Sequence, residues 1–303
     1  MIENYDSIAH IIGCAKNENK KISQLVLEQQ AVFMELSEKE IFNLMDESYK
    51  VMEQSIEGGL EKDVKSASGL TGGDAFKMME YIKKGNTLTG ETVANSLMAA
   101  IAVSEFNASM GKIVASPTAG SCGILPSVLS VIQKSRNIDR EDIIMSLFTA
   151  SGVGMVIANN ASLAGAEGGC QAECGSAAAM AAAAAVELCG GTPDMVSSSV
   201  GIALQNIMGL VCDPVAGLVE VPCIKRNASG AANALISAEI ALAGIGNVIP
   251  TDEIIFAMKE VGDAMHPSLK ETAQGGIAAT KTGKRLFSEI FGSDCGSCDK
   301  CRK

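Results

Sequence analysis

The amino-acid sequence predicts an all-α fold, because apolar residues recur mainly with the period of an α-helix and the alternating patterns of β-strands are missing. The longest apolar runs are rich in alanine and exceed the length of ordinary strands. A chain of 303 residues can bury a large core without disulfide bonds. We expect a single large helical domain over residues 1–291, with glycine-rich loops between helices, followed by a flexible cysteine-rich tail over residues 292–303.

The clearest single helix is predicted over residues 37–57. Ser37 and Glu40 have the spacing of a capping box, in which each side chain accepts a hydrogen bond from the other residue's backbone amide. Apolar residues then share one helical face: Ile41, Leu44, Met45, Met52 and Ile56. Gly58 and Gly59 end the pattern, since glycine is a poor helix former.

Three further helix starts are visible along the chain. Asp139 precedes two acidic residues, Thr192 precedes a proline, and Thr251 precedes two acidic residues. Acidic side chains favour the first turn because it carries the positive end of the helix dipole, and proline fits the first helical position. Each start is expected to open a helix of about 12 to 18 residues. The alanine tract over residues 177–185 predicts a tightly packed central helix that is too short to span a membrane.

Composition and charge exclude several classes of function. The chain carries 24 Lys and Arg against 35 Asp and Glu, a formal net charge of -11, and we therefore expect no binding to nucleic acid or to a membrane surface. The first residues lack the cationic region of a signal peptide, which favours a soluble, cytoplasmic protein. Ten cysteines in that compartment are expected to be reduced thiols, available as metal ligands, as nucleophiles or as buried side chains.

Three cysteines lie beside irregular backbone. Cys170 follows two glycines, Cys212 precedes Asp-Pro, and Cys223 follows Val-Pro. Cysteines at such loop ends can converge on a metal while nearby amides donate hydrogen bonds to sulfur, as an iron-sulfur cluster requires. The alternative is three buried structural thiols, a common role of free cysteine. Three other cysteines of the helical region are interpreted as residues of the packed core: Cys14, Cys174 and Cys189.

The tail contains a second cysteine pattern. Cys295, Cys298 and Cys301 form a C-x2-C-x2-C run that resembles the start of a ferredoxin motif but lacks its fourth cysteine followed by proline. The run predicts either iron-sulfur or zinc binding, and a disordered tail that merely carries cysteines is the alternative.

Two glycine-rich segments, residues 68–73 and 116–123, precede helical patterns. Free amides at such helix starts suit a small carboxylate, and neither segment matches a nucleotide-binding loop. The alternative is that glycine only permits a tight turn. The candidate substrate-binding residues are Ser68, Gly72, Gly73, Ser116, Thr118 and Gly120. The two histidines, His10 and His266, have no neighbours that suggest a catalytic triad.

Five motifs together resemble the alpha chain of the bacterial iron-sulfur L-serine dehydratases. In order they are Ser68-Gly-Leu-Thr-Gly-Gly-Asp74, Ser116-Pro-Thr-Ala-Gly120, Gly165-Ala-Glu-Gly-Gly-Cys170-Gln171, Cys212-Asp-Pro-Val-Ala-Gly217 and Val221-Pro-Cys-Ile-Lys-Arg-Asn-Ala228. The resemblance spans roughly residues 60–280 and implies a helical fold. It also implies that Cys170, Cys212 and Cys223 hold a 4Fe-4S cluster whose remaining iron acts as a Lewis acid.

The resemblance further implies the reaction, in which L-serine loses its Cα proton and its β-hydroxyl and yields pyruvate and ammonia. Single-chain members of the family add an N-terminal α/β domain with a Ser-Ser-His-Thr segment that has no counterpart here, which implies a separate beta subunit. Members also place a cysteine at the C-terminus that can cap the open iron, a role open to Cys295, Cys298 or Cys301. The alternatives are an iron-sulfur L-cysteine desulfidase and a non-catalytic metal or redox module.

Overall fold

In the computed structural model, which describes residues 5–292, the chain is all-α as predicted. The described helices are α1 (Ile8–Glu18), α2 (Ile22–Met34), α3 (Glu38–Gly59), α4 (Asp74–Ile82), α5 (Gly90–Ala108), α6 (Ile124–Arg136), α7 (Arg140–Asn160), α8 (Gly165–Gly168), α9 (Ser176–Leu188), α10 (Pro193–Gln205), α11 (Cys223–Leu242), α12 (Thr251–Ala264) and α13 (Lys281–Phe291). A π-helical turn at Gln171–Gly175 leads directly into α9. Short 3-10 turns lie at Ala119–Ser121, Val215–Gly217, Pro267–Leu269 and Gly276–Ala279.

The capping box at the start of α3 is confirmed. The Ser37 hydroxyl accepts a hydrogen bond from the Glu40 amide at 3.3 Å, and the Glu40 carboxylate accepts one from the Ser37 amide at 2.8 Å. The helix runs to Gly59, so both of its ends lie within two residues of the predicted ones. The start of this helix could be predicted from the sequence because the capping contacts lie within four consecutive residues.

The other three predicted starts are confirmed, with one correction to length. Helices α10 and α12 have 13 and 14 residues, whereas α7 has 21 and exceeds the expected range. Glycines inside α7 do not end it, because they permit close packing: a Cβ atom on Gly152 would lie 2.7 Å from Val26 of α2. By length and composition α7 could cross a membrane, but 67% of its most apolar window is buried, as in a core helix.

The alanine-rich helix α9 forms the centre of the core, as predicted. It packs against α6, α7, α10 and α11, and the alanines from Ala177 to Ala185 are at most 1% exposed. Small side chains on all sides let the neighbouring helices approach closely. Because the π-helical turn precedes α9, residues 170–175 lie at the N-terminal end of this central helix.

Candidate active site

Three cysteines from three separate segments meet at that end of α9. Cys170 directly precedes the π-helical turn, Cys212 lies in the loop after α10, and Cys223 is the first residue of α11. Cys170 and Cys212 are 3% and 4% exposed, and Cys223 is partly buried. Burial raises the pKa of the Cys223 thiol to about 12, and the nearby charge of Cys170 raises it further. Burial, together with the charges of Glu173 and Cys170, also raises the pKa of the Cys212 thiol.

The buried side chain of Gln171 fixes the segment that carries Cys170. Its amide nitrogen donates to the carbonyl oxygen of Met258 in α12 at 2.8 Å, and its side-chain oxygen accepts from the Gly209 amide at 2.8 Å. Gly169 has a φ of +76°, a conformation that favours glycine, and a Cβ atom there would lie 2.8 Å from the carbonyl oxygen of Leu210. The chain therefore enters the π-helical turn in close contact with the loop that carries Cys212.

Cys212 is held by backbone pairing with the segment after α12. Its amide donates to the carbonyl oxygen of Leu269 at 2.8 Å, and its carbonyl accepts from the Glu271 amide at 2.8 Å. The next residue, Asp213, accepts a hydrogen bond from the Ile277 amide at 2.7 Å. These contacts place residues 269–277 beside the thiol.

Arg226 joins the three cysteine-bearing segments. It lies one helical turn after Cys223, pairs with Asp213 at 2.8 Å and donates to the carbonyl oxygen of Val211 at 2.8 Å. A hydrogen bond between Cys170 and Cys174, whose sulfur atoms are 3.4 Å apart, lowers the pKa of the Cys170 thiol. The positive charge of Arg226 and a hydrogen bond from it act in the same direction. The surroundings therefore favour a thiolate at Cys170.

Cys170, Cys212 and Cys223 offer thiol sulfur, which is the donor atom that an iron-sulfur cluster takes from a protein. In residues 5–292, no group of three His, Cys, Asp or Glu side chains is arranged to hold one metal ion. A cluster has a different requirement, since each thiolate binds its own iron and the sulfur atoms stand farther apart. The three thiols come from separate segments. Gly165 leaves space beside one of them, since a Cβ atom there would lie 2.9 Å from Cys212 Sγ.

The first glycine-rich segment is held by carboxylates of the chain itself. Ser68 and Thr71 donate to the buried Glu220 carboxylate at 2.7 and 2.6 Å. The amides of Asp74 and Ala75, at the start of α4, donate to the buried Glu105 carboxylate at 2.8 and 3.1 Å. The amides of Gly72 and Gly73 have no acceptor among the described residues.

The second glycine-rich segment is tied to Cys223 through Asn227. The Asn227 side chain donates to the carbonyl oxygens of Gly120 and Cys223 at 2.7 and 3.0 Å, and accepts from the Gly123 amide at 2.9 Å. Ser116 is 4% exposed, and its hydroxyl has no hydrogen-bond partner in the described part of the chain. This loop therefore presents a buried polar atom that is not used by the fold.

Glu173 was not predicted from the sequence, and it lies among these groups. Burial raises the pKa of its carboxyl group, a hydrogen bond from the Thr118 hydroxyl opposes that shift, and the charge of Glu271 adds to it. Arg226 and Asp213 were missed as well. Glu173 and Arg226 each follow a predicted ligand by three residues, which is one helical turn, and that spacing is the signal that could have found them.

The remaining predicted residues lie elsewhere. Cys14 and Cys189 are partly buried against the core, as expected, whereas Cys174 is fully buried and also contacts Cys170. His266 is exposed, with Nδ1 2.8 Å from the Ser268 hydroxyl, and His10 lies in α1 with its ring 5.7 Å from that of Tyr5. The predicted capping residues Cys295, Cys298 and Cys301 lie outside the described residues.

Comparison with known proteins identifies the family to which this chain is similar. The sequence profile of the family described as Serine dehydratase alpha chain matches residues 17–278. The chain is 49% identical over 293 residues to a protein of Bacillus subtilis (strain 168) named "Probable L-serine dehydratase, alpha chain", covering 97% of each. It is 45% identical over 281 residues to the L-serine dehydratase, alpha chain, of Peptoniphilus asaccharolyticus, covering 93% of this chain and 96% of that one.

A longer relative matches over only part of its length. The L-serine dehydratase of Streptomyces coelicolor (strain ATCC BAA-471 / A3(2) / M145) is 35% identical over 276 residues, which are 88% of this chain and 59% of that protein. The family profile and the two relatives of similar length cover most of the chain, including every segment that forms the site. The chain thus belongs to the serine dehydratase alpha chain family.

Proposed function

We propose that this chain is the alpha subunit of an iron-sulfur L-serine dehydratase, a lyase that converts L-serine to pyruvate and ammonia in the cytoplasm. The observation that supports the proposal most strongly is that Cys170, Cys212 and Cys223 lie close together. They adjoin two loops whose polar groups include some without a hydrogen-bond partner among the described residues. The names of the relatives support the substrate, and the family supports the reaction class.

Cys170, Cys212 and Cys223 would hold a 4Fe-4S cluster. When bound, a cluster with three protein thiolates supplies an iron that acts as a Lewis acid toward the β-hydroxyl of the substrate. The protein's own contribution is to hold the ligands: Arg226 donates to Cys170 sulfur and also fixes the loop of Cys212 through Asp213. Such outer contacts orient ligands and favour their charged form.

The two glycine-rich loops would bind the carboxylate of L-serine. The proposed binding residues are those predicted from the sequence: Ser68, Gly72, Gly73, Ser116, Thr118 and Gly120. Within this set, the amides of Gly72 and Gly73 and the hydroxyl of Ser116 remain available to a ligand in the described structure. Hydrogen bonds from amides and hydroxyls to an ionised carboxylate are among the stronger ones in proteins.

A beta subunit would complete the enzyme. This chain covers only 59% of the longer Streptomyces coelicolor L-serine dehydratase, so that protein has a large region without a counterpart here. We propose that a separate α/β chain supplies this region, including the general base, and excludes water from the loops. A reconstituted alpha chain alone is then expected to form little pyruvate compared with the co-expressed pair.

One tail cysteine, Cys295, Cys298 or Cys301, would cap the open iron in the resting enzyme. A tethered thiol has a high effective concentration near its site. Deleting residues 292–303 is expected to preserve iron content while increasing inactivation by oxygen. Loss of all iron on deletion would instead indicate a metal module seated in the tail.

The central test is anaerobic purification of the chain with its partner, followed by iron analysis, an absorbance spectrum and a pyruvate assay on L-serine. Cys212→Ser and Cys223→Ser are each expected to abolish both bound iron and activity, because a cluster thiolate is lost. Cys189→Ser is the matched control, since Cys189 packs at the edge of the core. Full iron occupancy in a ligand variant would refute the assignment, and sulfide release from L-cysteine faster than pyruvate formation from L-serine would identify a desulfidase.

A further inference from the structure

The Glu173 carboxylate lies next to two glycines, Gly120 and Gly165, which have no side chain to occupy its space. A Cβ atom on Gly120 would lie 3.0 and 3.1 Å from its two carboxylate oxygens. A Cβ atom on Gly165 would lie 2.9 Å from Glu173 Oε2 and 2.9 Å from Cys212 Sγ. The carboxylate therefore lies between the loop of Thr118 and Gly120 on one side and a proposed cluster ligand on the other.

Glu173 lacks the partners that other inward-facing carboxylates of this chain have. Glu105 accepts two amide hydrogen bonds, Glu220 accepts two hydroxyl hydrogen bonds, and Glu187 accepts from Thr149 and from the amides at the start of α2. In residues 5–292, no basic side chain forms an ion pair with Glu173, and the Thr118 hydroxyl is the donor that it has.

Arg226, the cation that contacts the cysteine-bearing segments, is engaged by other groups. Arg226 pairs with Asp213 and donates to the Val211 carbonyl and to Cys170. Glu173 is partly buried, and Glu271 adds further negative charge at this point, so the two carboxylates together would attract a positively charged group of a ligand.

Glu173 also lies on the π-helical turn Gln171–Gly175. Such turns are rare and frequently occur at functional sites, because they interrupt the helical hydrogen bonding to place one residue differently. Here the turn is anchored by the buried Gln171, so the position of Glu173 is fixed by contacts to α12 and to the Gly209 loop.

We propose that Glu173 binds the α-ammonium group of L-serine. The proposal rests on the proposed function, because that function brings a zwitterionic amino acid to these loops. The substrate carboxylate requires donors, which the loop amides and Ser116 provide, and the ammonium group requires acceptors. Glu173 supplies a carboxylate acceptor, and the Thr118 hydroxyl that donates to it fixes its orientation. Glu173 thus distinguishes an amino acid from a hydroxy acid that lacks the amine.

The test compares two ligands that differ in that amine. Binding of L-serine and of 3-hydroxypropionate to the anaerobic holoenzyme is followed by the change in the electron paramagnetic resonance spectrum of the dithionite-reduced cluster. KM, kcat and iron content are measured alongside. Glu173→Gln is expected to weaken L-serine binding and raise its KM by about 10- to 100-fold, the worth of a hydrogen bond between charged groups. Binding of 3-hydroxypropionate and iron content are expected to be unchanged. Glu260→Gln, which removes an exposed carboxylate on α12, is the matched control.

Equal weakening of both ligands would overturn the proposal, since it would show that Glu173 only supports the loop. A fall in kcat with unchanged L-serine binding would overturn it as well. If Glu173→Gln loses iron, the same comparison is made with Glu173→Asp, which keeps the charge and is expected to weaken L-serine selectively. A wild-type holoenzyme that forms no pyruvate from L-serine would refute the proposed function, whereas normal wild-type turnover with a non-selective variant would refute this inference alone.

Discussion

The two glycine-rich loops of the site differ in how their polar groups are used. In the loop of residues 68–74, the hydroxyls of Ser68 and Thr71 are bonded to the chain's own Glu220. In the loop of residues 116–120, the buried Ser116 hydroxyl has no partner within the described residues. Similar sequences of small and polar residues thus differ in their contacts: Ser68 and Thr71 of the first loop stabilise the fold through Glu220, whereas the Ser116 hydroxyl of the second loop makes no such contact among the described residues.

The largest expected effect tests the first loop. Glu220→Ala leaves two hydroxyls without their acceptor and should lower the free energy of unfolding by about 2 to 4 kcal/mol, since each hydrogen bond to a charged group contributes about 1.5 to 3 kcal/mol and water compensates in part. Urea denaturation of the wild-type and variant chains, both with reduced thiols, measures this change in the free energy of unfolding. An unchanged free energy of unfolding would mean that the loop does not depend on Glu220, and the comparison between the loops would fail.

The second loop should show the opposite signature. Ser116→Ala removes a hydroxyl that the fold does not use, so the free energy of unfolding should stay the same or rise slightly. The KM for L-serine should rise by about 10-fold, because one donor to the substrate carboxylate is lost. Steady-state kinetics with denaturation of the same preparation separates the two quantities. A destabilised variant with normal KM would assign Ser116 to the fold.

The smallest expected effect concerns the pH dependence of stability at the start of α4. Burial raises the pKa of the Glu105 carboxyl group in the folded chain, although the amides of Ala75 and Asp74 oppose that shift. A raised folded pKa means that the folded chain holds the proton more tightly than the unfolded chain does. The stability that the protonated Glu105 carboxyl group contributes is fully present below the pKa of the unfolded chain. It is lost as pH rises through the pKa of the folded chain.

The wild-type chain should therefore gain stability relative to Glu105→Gln as pH falls from neutral toward the ordinary range of glutamate. The difference in Tm between the two proteins, measured at intervals between neutral and mildly acidic pH, tests the sign. A Tm difference that does not depend on pH, or that changes with pH in the opposite direction, would contradict a raised pKa for Glu105 in the folded chain.

What could be predicted from the sequence depended on the range of the contacts involved. The start of α3 was predictable because Ser37 and Glu40 cap each other within one turn. The length of α7 was not, because the close packing of Gly152 on Val26 joins two helices that are distant in the sequence. Spacing alone left Cys170, Cys212 and Cys223 open between ligands and buried thiols, and the family resemblance favoured the ligands. Glu173 was missed because the residues that surround its carboxylate, Gly120 and Gly165, are distant from it in the sequence.

The alanine-lined helix α9 has a consequence for the mobility of the site. Alanine has no side-chain rotamers, so α9 offers its neighbours a tightly packed surface that changes little in shape. Cys212, by contrast, lies on a loop that is paired through two backbone hydrogen bonds with the non-helical segment 269–271. We therefore expect slower amide hydrogen exchange next to Cys170 and Cys223, which adjoin helices of the core, than in the loop that carries Cys212.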